Sequence, residues 1–209
     1  MKQLKNPLIW LIASFSLASC GSILAPVKQR TVNNFTIFDE QINYHQAECE
    51  STVNNNVLYI SKMTAYPPYD TNKMYYMSSP YELNSFGYSQ WITPANDLIT
   101  QEVAKKVAMS CTFKNMVGIN SLADANYRLS SILIGVREEV SSDGSSAKAH
   151  LAIGSELVEM NNNRVAGSFL FDQTESMTSV SPVEYARAVS RLVSRYNNQL
   201  VPWLQQKAK

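Results

Sequence analysis

The sequence predicts an α+β domain, with an antiparallel sheet of about six to seven strands and two long helices packed on one face. Three observations lead there. Between 126 and 176, three runs alternate apolar and polar residues and are joined by short turn-rich links, which demand antiparallel pairing. Two other segments, 93–111 and 181–205, repeat apolar residues every three or four positions, the spacing of a helix face. Beyond residue 19 the chain keeps 190 of its 209 residues, enough for one core, and shows no internal repeat.

The N-terminus is set apart from that domain. Lys2 and Lys5 precede "PLIWLIASFSLA" at 7–18, an uncharged apolar run. It is shorter than the roughly 20 apolar residues a membrane-spanning helix needs. It fits the n-region and h-region of a signal peptide. "LASC" then closes the run with Leu17, two small residues and Cys20, which matches the bacterial lipobox. Small residues let a peptidase reach the backbone, and the Cys20 thiol is the nucleophile that takes a diacylglyceryl group. The freed amine then takes an N-acyl chain such as palmitate, and two or more chains anchor stably where one does not. The expected organisation is a cleaved lipoprotein signal peptide at 1–19, a lipidated tether at 20–34 and a single domain at 35–209. Gly21 and Ser22 follow Cys20, with no Asp beside it. By resemblance to enterobacterial lipoproteins, this points to the periplasmic side of the outer membrane rather than the inner.

Without 1–19 the chain holds 16 cations and 17 acids, a net charge of −1. That balance gives no support for nucleic-acid binding. The oxidising periplasm would let Cys49 and Cys111 form a disulfide. Closing about 62 residues, it would be worth roughly 4 kcal/mol in the chain-entropy model. The alternative is two separate buried thiols.

The elements of the domain follow in order. "FTIFDEQI" at 35–42 reads as a short strand and 43–56 as a polar loop. "VLYISKMTAY" reads as a strand from Val57. Pro67 and Pro68 then suggest a reversal, and "KMYYMSS" a return strand, so 57–78 is an expected hairpin. Residues 80–88 read as a loop. In the first helix Thr93 is the expected cap, Pro94 opens the first turn and Asp97 meets the positive helix end. Ala95, Leu98, Ile99, Val103 and Val107 form its stripe. In "NYRLSSILIGVRE", Arg128, Ser130, Ile132, Ile134 and Val136 form one face and Tyr127, Leu129 and Leu133 the other. Asp143-Gly144 and Asn161–Asn163 are the expected meander turns. The last helix has Ser181 and Glu184 as a capping box and Pro182 at its first position. Its stripe is Tyr185, Val189, Leu192, Tyr196, Leu200 and Trp203, and Pro202 is expected to bend or end the final turn.

No constellation of reactive residues converges. Neither His45 nor His150 has metal-ligand spacing, and no P-loop, G-x-G-x-x-G or G-x-S-x-G occurs. Glu138 and Glu139 are adjacent in a strand and point to opposite faces. The expectation is a non-enzyme with no catalytic residue, no metal and no cofactor beyond the acyl groups on Cys20. Two features suit binding. Seven of the 11 tyrosines fall between Tyr59 and Tyr88. Among the aromatics here, Tyr69, Tyr75, Tyr76, Tyr81, Phe86 and Tyr88 could form a half-wet contact surface or simply cover a helix. Arg187, Arg191 and Arg195, four residues apart, could meet an acidic partner or lipid phosphates, against the plainer reading of a solvated face.

The order of these pieces resembles the ABC-type transport auxiliary lipoprotein family. The strand "VLYIS", the "PPYD" turn at 67–70, Tyr75 and Tyr76 on a return strand, and Trp91 to Pro94 at a helix start carry the resemblance. "YRLSSILIGVRE", the meander and the final "LVPWL" extend it over about 35–205. The resemblance implies an accessory subunit of an ABC/MCE-type lipid or solvent-export transport system. Its partner would be a periplasmic MCE-domain protein, on which it docks or forms a collar, with a homo-oligomer possible. Cys49, Cys111 and the loop at 43–56 depart from the pattern. Two other readings are a periplasmic carrier that binds lipid or lipopolysaccharide itself, and a structural lipoprotein of an envelope secretion machine.

Overall fold

A single 14-residue strand organises the sheet of the computed structural model, which describes residues 30–42, 52, 54–117 and 124–209. The strands are β1 (Asn33–Phe35), β2 (Asn54–Ile60), β3 (Thr64–Ala65), β4 (Lys73–Ser79), β5 (Glu82–Trp91), β6 (Phe113–Val117), β7 (Tyr127–Val140), β8 (Ala147–Glu159) and β9 (Arg164–Ser176). Helix α1 (Ala95–Met109) lies between β5 and β6, and α2 (Pro182–Lys207) follows β9.

The meander is as expected: β7 pairs antiparallel with β8, and β8 with β9. Gly144, at φ +70°, and Asn163, at φ 54°, supply the left-handed backbone their turns need. The other edge of β7 overturns the antiparallel expectation. β2, β3 and β4 lie along it one after another, all parallel to it. Ile60 pairs with Leu129, Ala65 with Leu133 and Met77 with Glu139, so the chain climbs β7 without reversing. The sheet among the described residues is therefore mixed and nine-stranded, not antiparallel with six or seven strands.

The predicted 57–78 hairpin fails for the same reason. Pro67 and Pro68 do interrupt the ladder, as prolines must, but their loop leaves β7 and rejoins it further along. The real hairpin is β4–β5, with Ser79 opposite Glu82: the expected return strand is its first arm, and its turn and most of β5 fall where a loop was expected. β1 is parallel to β5 and β6 to β2.

The strand expected at 35–42 shrinks to Asn33–Phe35, which also brings residues of the supposed tether into the sheet. Beyond Phe35 three backbone N–H groups turn to side chains. Phe38 donates to Ser190 Oγ (3.1 Å), Asp39 to Glu102 Oε2 (3.0 Å) and Gln41 to Asp39 Oδ1 (3.0 Å).

A bulge in β7 resets its faces. Leu133 opposes Ile153 and Gly135 opposes Ala152, leaving Ile134 without a counterpart. Tyr127, Leu129 and Leu133 point to the core before the bulge, and Val136 and Glu138 after it. Val136 therefore belongs with Leu133, not with Ile132 and Ile134.

Both helices bury the expected stripes in one core with Leu129, Leu133, Leu151, Ile153 and Leu157, except that Trp203 is only partly buried against its edge. α1 begins after Pro94, and no side chain caps it, so Thr93 is not the cap. In α2 the Ser181 hydroxyl accepts from the Glu184 N–H at 3.3 Å, as the sequence asks. Pro202 does not end this helix, which continues to Lys207.

Candidate functional site

Cys20 and Cys49 lie outside the described residues. Cys111 directly follows the C-cap Ser110, at φ 53°, and is disulfide-bonded; its partner also lies outside the described residues.

The predicted aromatic surface divides in two. The β-strand period sends Tyr75 to one face of β4 and Tyr76 to the other. Tyr75 and Tyr69 are buried edge to face, their centroids 5.6 Å apart. The Tyr75 hydroxyl donates to the Pro68 carbonyl at 3.1 Å, which ties the "PPYD" loop down. On the core side Tyr76 packs on Phe86 (5.1 Å), Phe86 stacks on Tyr185 of α2 (6.2 Å), and Tyr185 meets Trp91 (5.7 Å). These rings join hairpin to helix. Only Tyr81, fully exposed at the β4–β5 turn, and Tyr88, half exposed on β5, face outward.

Beside that layer sits a group of polar atoms that strand alternation alone did not reveal. Glu138 is 1% exposed, and its Oε1 has no hydrogen-bond partner. The Tyr185 hydroxyl and the Trp91 indole N–H are likewise buried without partners. Burial pushes the Glu138 carboxyl up to about 7. Burial first, then the nearby Glu138, raises the Tyr185 phenol well above its ordinary range. The readable signals were an acid in an apolar strand and Gly135, a lone glycine inside that strand and beside the bulge that turns the acid inward.

The arginine stripe is engaged within the domain. Arg191 Nε binds Glu175 Oε1 at 2.8 Å and its Nη2 binds Glu184 Oε1 at 2.9 Å. Arg195 binds Glu175 and Gln173, while Arg187 lies 3.7 Å from Glu184 and is mostly exposed. Burial would raise Glu175, but hydrogen bonds from Arg195 and Arg191 carry it below its ordinary value. The Arg191 hydrogen bond does the same for Glu184. The stripe clamps α2 to β9 and leaves Arg187 as its most exposed cation.

On the open face of the sheet His150 Nε2 and Asp172 Oδ1 are 2.7 Å apart. Among the described residues no three His, Cys, Asp or Glu side chains converge to hold a metal. No helix there is long and apolar enough to cross a membrane.

No family model matches the chain, and no curated protein matches it. Solved structures do. A DUF330 protein, XCC0632 from Xanthomonas campestris, is similar over 85% of this chain and 96% of its own, at TM-score 0.70 and 17% identity. An uncharacterized protein is similar over 83% and 99%, at TM-score 0.63 and 8% identity. The hypothetical protein CT253 from Chlamydia trachomatis is similar over 74% and 98%, at TM-score 0.52 and 8% identity. At these identities the likeness is one of fold.

Proposed function

We propose that this chain is a lipid-anchored, non-catalytic accessory subunit of an ABC/MCE-type lipid or solvent-export transport system. Cys20 would carry the acyl chains at the periplasmic side of the outer membrane, and the domain would dock a periplasmic MCE-domain protein. The observation that carries the reading is "LASC" at 17–20 behind its basic and apolar leader. The soft motifs from 35 to 205 support the transport part. The most exposed members of the predicted contact set, Tyr81 and Arg187, are the residues this reading assigns to the partner.

The test is cross-linking in membranes of cells expressing the full chain, followed by affinity capture. An MCE-domain protein with its permease and ATPase should be recovered, and Tyr81→Ala with Arg187→Ala should reduce the yield. Cys20→Ala should move the chain out of the outer-membrane fraction. Unchanged fractionation of that variant would remove the anchor, and capture without any MCE-domain protein would remove the transport role.

A further inference from the structure

At the end of the sheet to which β7 runs, a cavity of about 790 Å³ opens where three links meet. These are the β4–β5 turn, the β7–β8 turn and the segment leaving β9. Its size falls within the roughly 300–1,000 Å³ of small-molecule sites. Met77, Pro80, Val140 and Met177 give it an apolar side, and methionine adapts readily to a flexible chain. Arg137, Glu139 and Lys148 give it a charged side.

The bulge at Ile134 builds that charged side. By turning Glu138 inward it sends Arg137 and Glu139 outward, and the ladder sets Lys148 opposite Glu139. Arg137 Nη2 is 2.7 Å from Glu139 Oε1, and Lys148 Nζ is 3.1 Å from Glu139 Oε2. Two cations against one carboxylate leave one positive charge on the wall. The Arg137 Nε is buried with no acceptor, although guanidinium is a fork suited to oxyanions. Gly135 makes room for this group, since a Cβ there would lie 3.2 Å from Arg137 Nη1.

We propose that the cavity binds a single-chain anionic amphiphile. Its phosphate or carboxylate head would meet Arg137 and Lys148, and its alkyl chain would lie along Met77, Val140 and Met177. The site stands on its own geometry and does not rest on the transport reading.

The test uses the full chain in its membrane and decyl phosphate carrying a photoactivatable diazirine at the chain end. Cross-linked peptides are mapped by mass spectrometry. Adducts are expected on peptides containing Met77 or Met177. Arg137→Gln and Lys148→Gln should each lower their yield at least about fivefold, a loss of roughly 1 kcal/mol in binding. Lys148 is half exposed, so its variant keeps the test valid should Arg137→Gln fail to fold. The diazirine probe with an uncharged alcohol head should label as weakly as the variants. Equal labelling by the alcohol, or yields unmoved by Lys148→Gln, would overturn the head-group site. Loss of labelling to equimolar inorganic phosphate would mean a free-anion site and overturn the amphiphile.

Discussion

The Asn197 side-chain amide donates to the Asp39 carboxylate at 2.9 Å, joining residues 158 positions apart. Asn197 is 0% exposed, Asp39 5%. Asp39 also holds its own turn through Gln41, and its backbone N–H reaches the buried Glu102 of α1. One polar knot thus fixes the segment after β1 against both helices.

Removing the donor leaves a buried carboxylate short of a partner, a more costly change than losing a hydrogen bond to water. Asn197→Ala should lower unfolding stability by about 2 kcal/mol. Asn197→Asp should cost more, because it sets a second acid against Asp39. Denaturant midpoints of the two variants check both the size and the order.

This knot shows what sequence could and could not reveal. The helix stripes and the three-strand meander were readable because each repeats a period over ten or more residues. The parallel edge was not: β2 and β4 are visible as strands, but β3, which carries the chain along β7 between them, has two residues, too few to show any period. Prolines at 67 and 68 were rightly read as a break in pairing, but a break does not say whether the chain reverses. Of the candidate site, the aromatics and arginines were visible as residue types. Which of them cover the core depends on register, and the bulge at Ile134 changes register with only the neighbouring Gly135 to mark it, a signal that does not say which residue is surplus.

Glu138 carries a pH prediction. Its folded-state value near 7 lies above the ordinary carboxylate value of 4.5. Below the ordinary value both folded and unfolded chains hold the proton, so the site costs nothing. As pH rises from there to about 7, the unfolded chain releases its proton first, and stability falls by about 3 kcal/mol, then levels off. Glu138→Gln should abolish this decline and be the more stable protein at pH 8. Chemical denaturation at pH 5 and pH 8 gives the comparison; equal pH slopes in both proteins would refute the assignment.

The Glu175 clamp should behave as a modest, salt-sensitive tie. Arg191 and Arg195 are 37% and 40% exposed at the side chain, so solvent screens much of their attraction. Arg195→Gln should cost about 0.5–1 kcal/mol, with a coupling to Glu175→Gln of similar size in a double-mutant cycle. Because Glu175 is held below its ordinary value, this stability is present above that value and is lost as pH falls through the lowered one. Unfolding curves at neutral pH and in acid, each at low and high salt, measure all three effects.

The bulge itself offers the sharpest structural test. Ile134 is the surplus residue that lets Leu133 and Val136 both face the core. Deleting it restores strict alternation through the second half of β7. Gly135, Val136 and Glu138 already oppose Ala152, Leu151 and Ala149, so each would keep its partner and its face. Closing the bulge at a partly exposed position, with Lys148 still opposite Glu139, should cost less than about 3 kcal/mol. The deletion variant should keep a cooperative thermal transition by circular dichroism, and Ile134→Ala, which keeps the residue count, should lose less than about 1 kcal/mol at this 36%-exposed position. A deletion variant with no cooperative transition would show that the second half of β7 does not hold this pairing with β8 once the bulge is gone, and would refute Ile134 as the surplus residue.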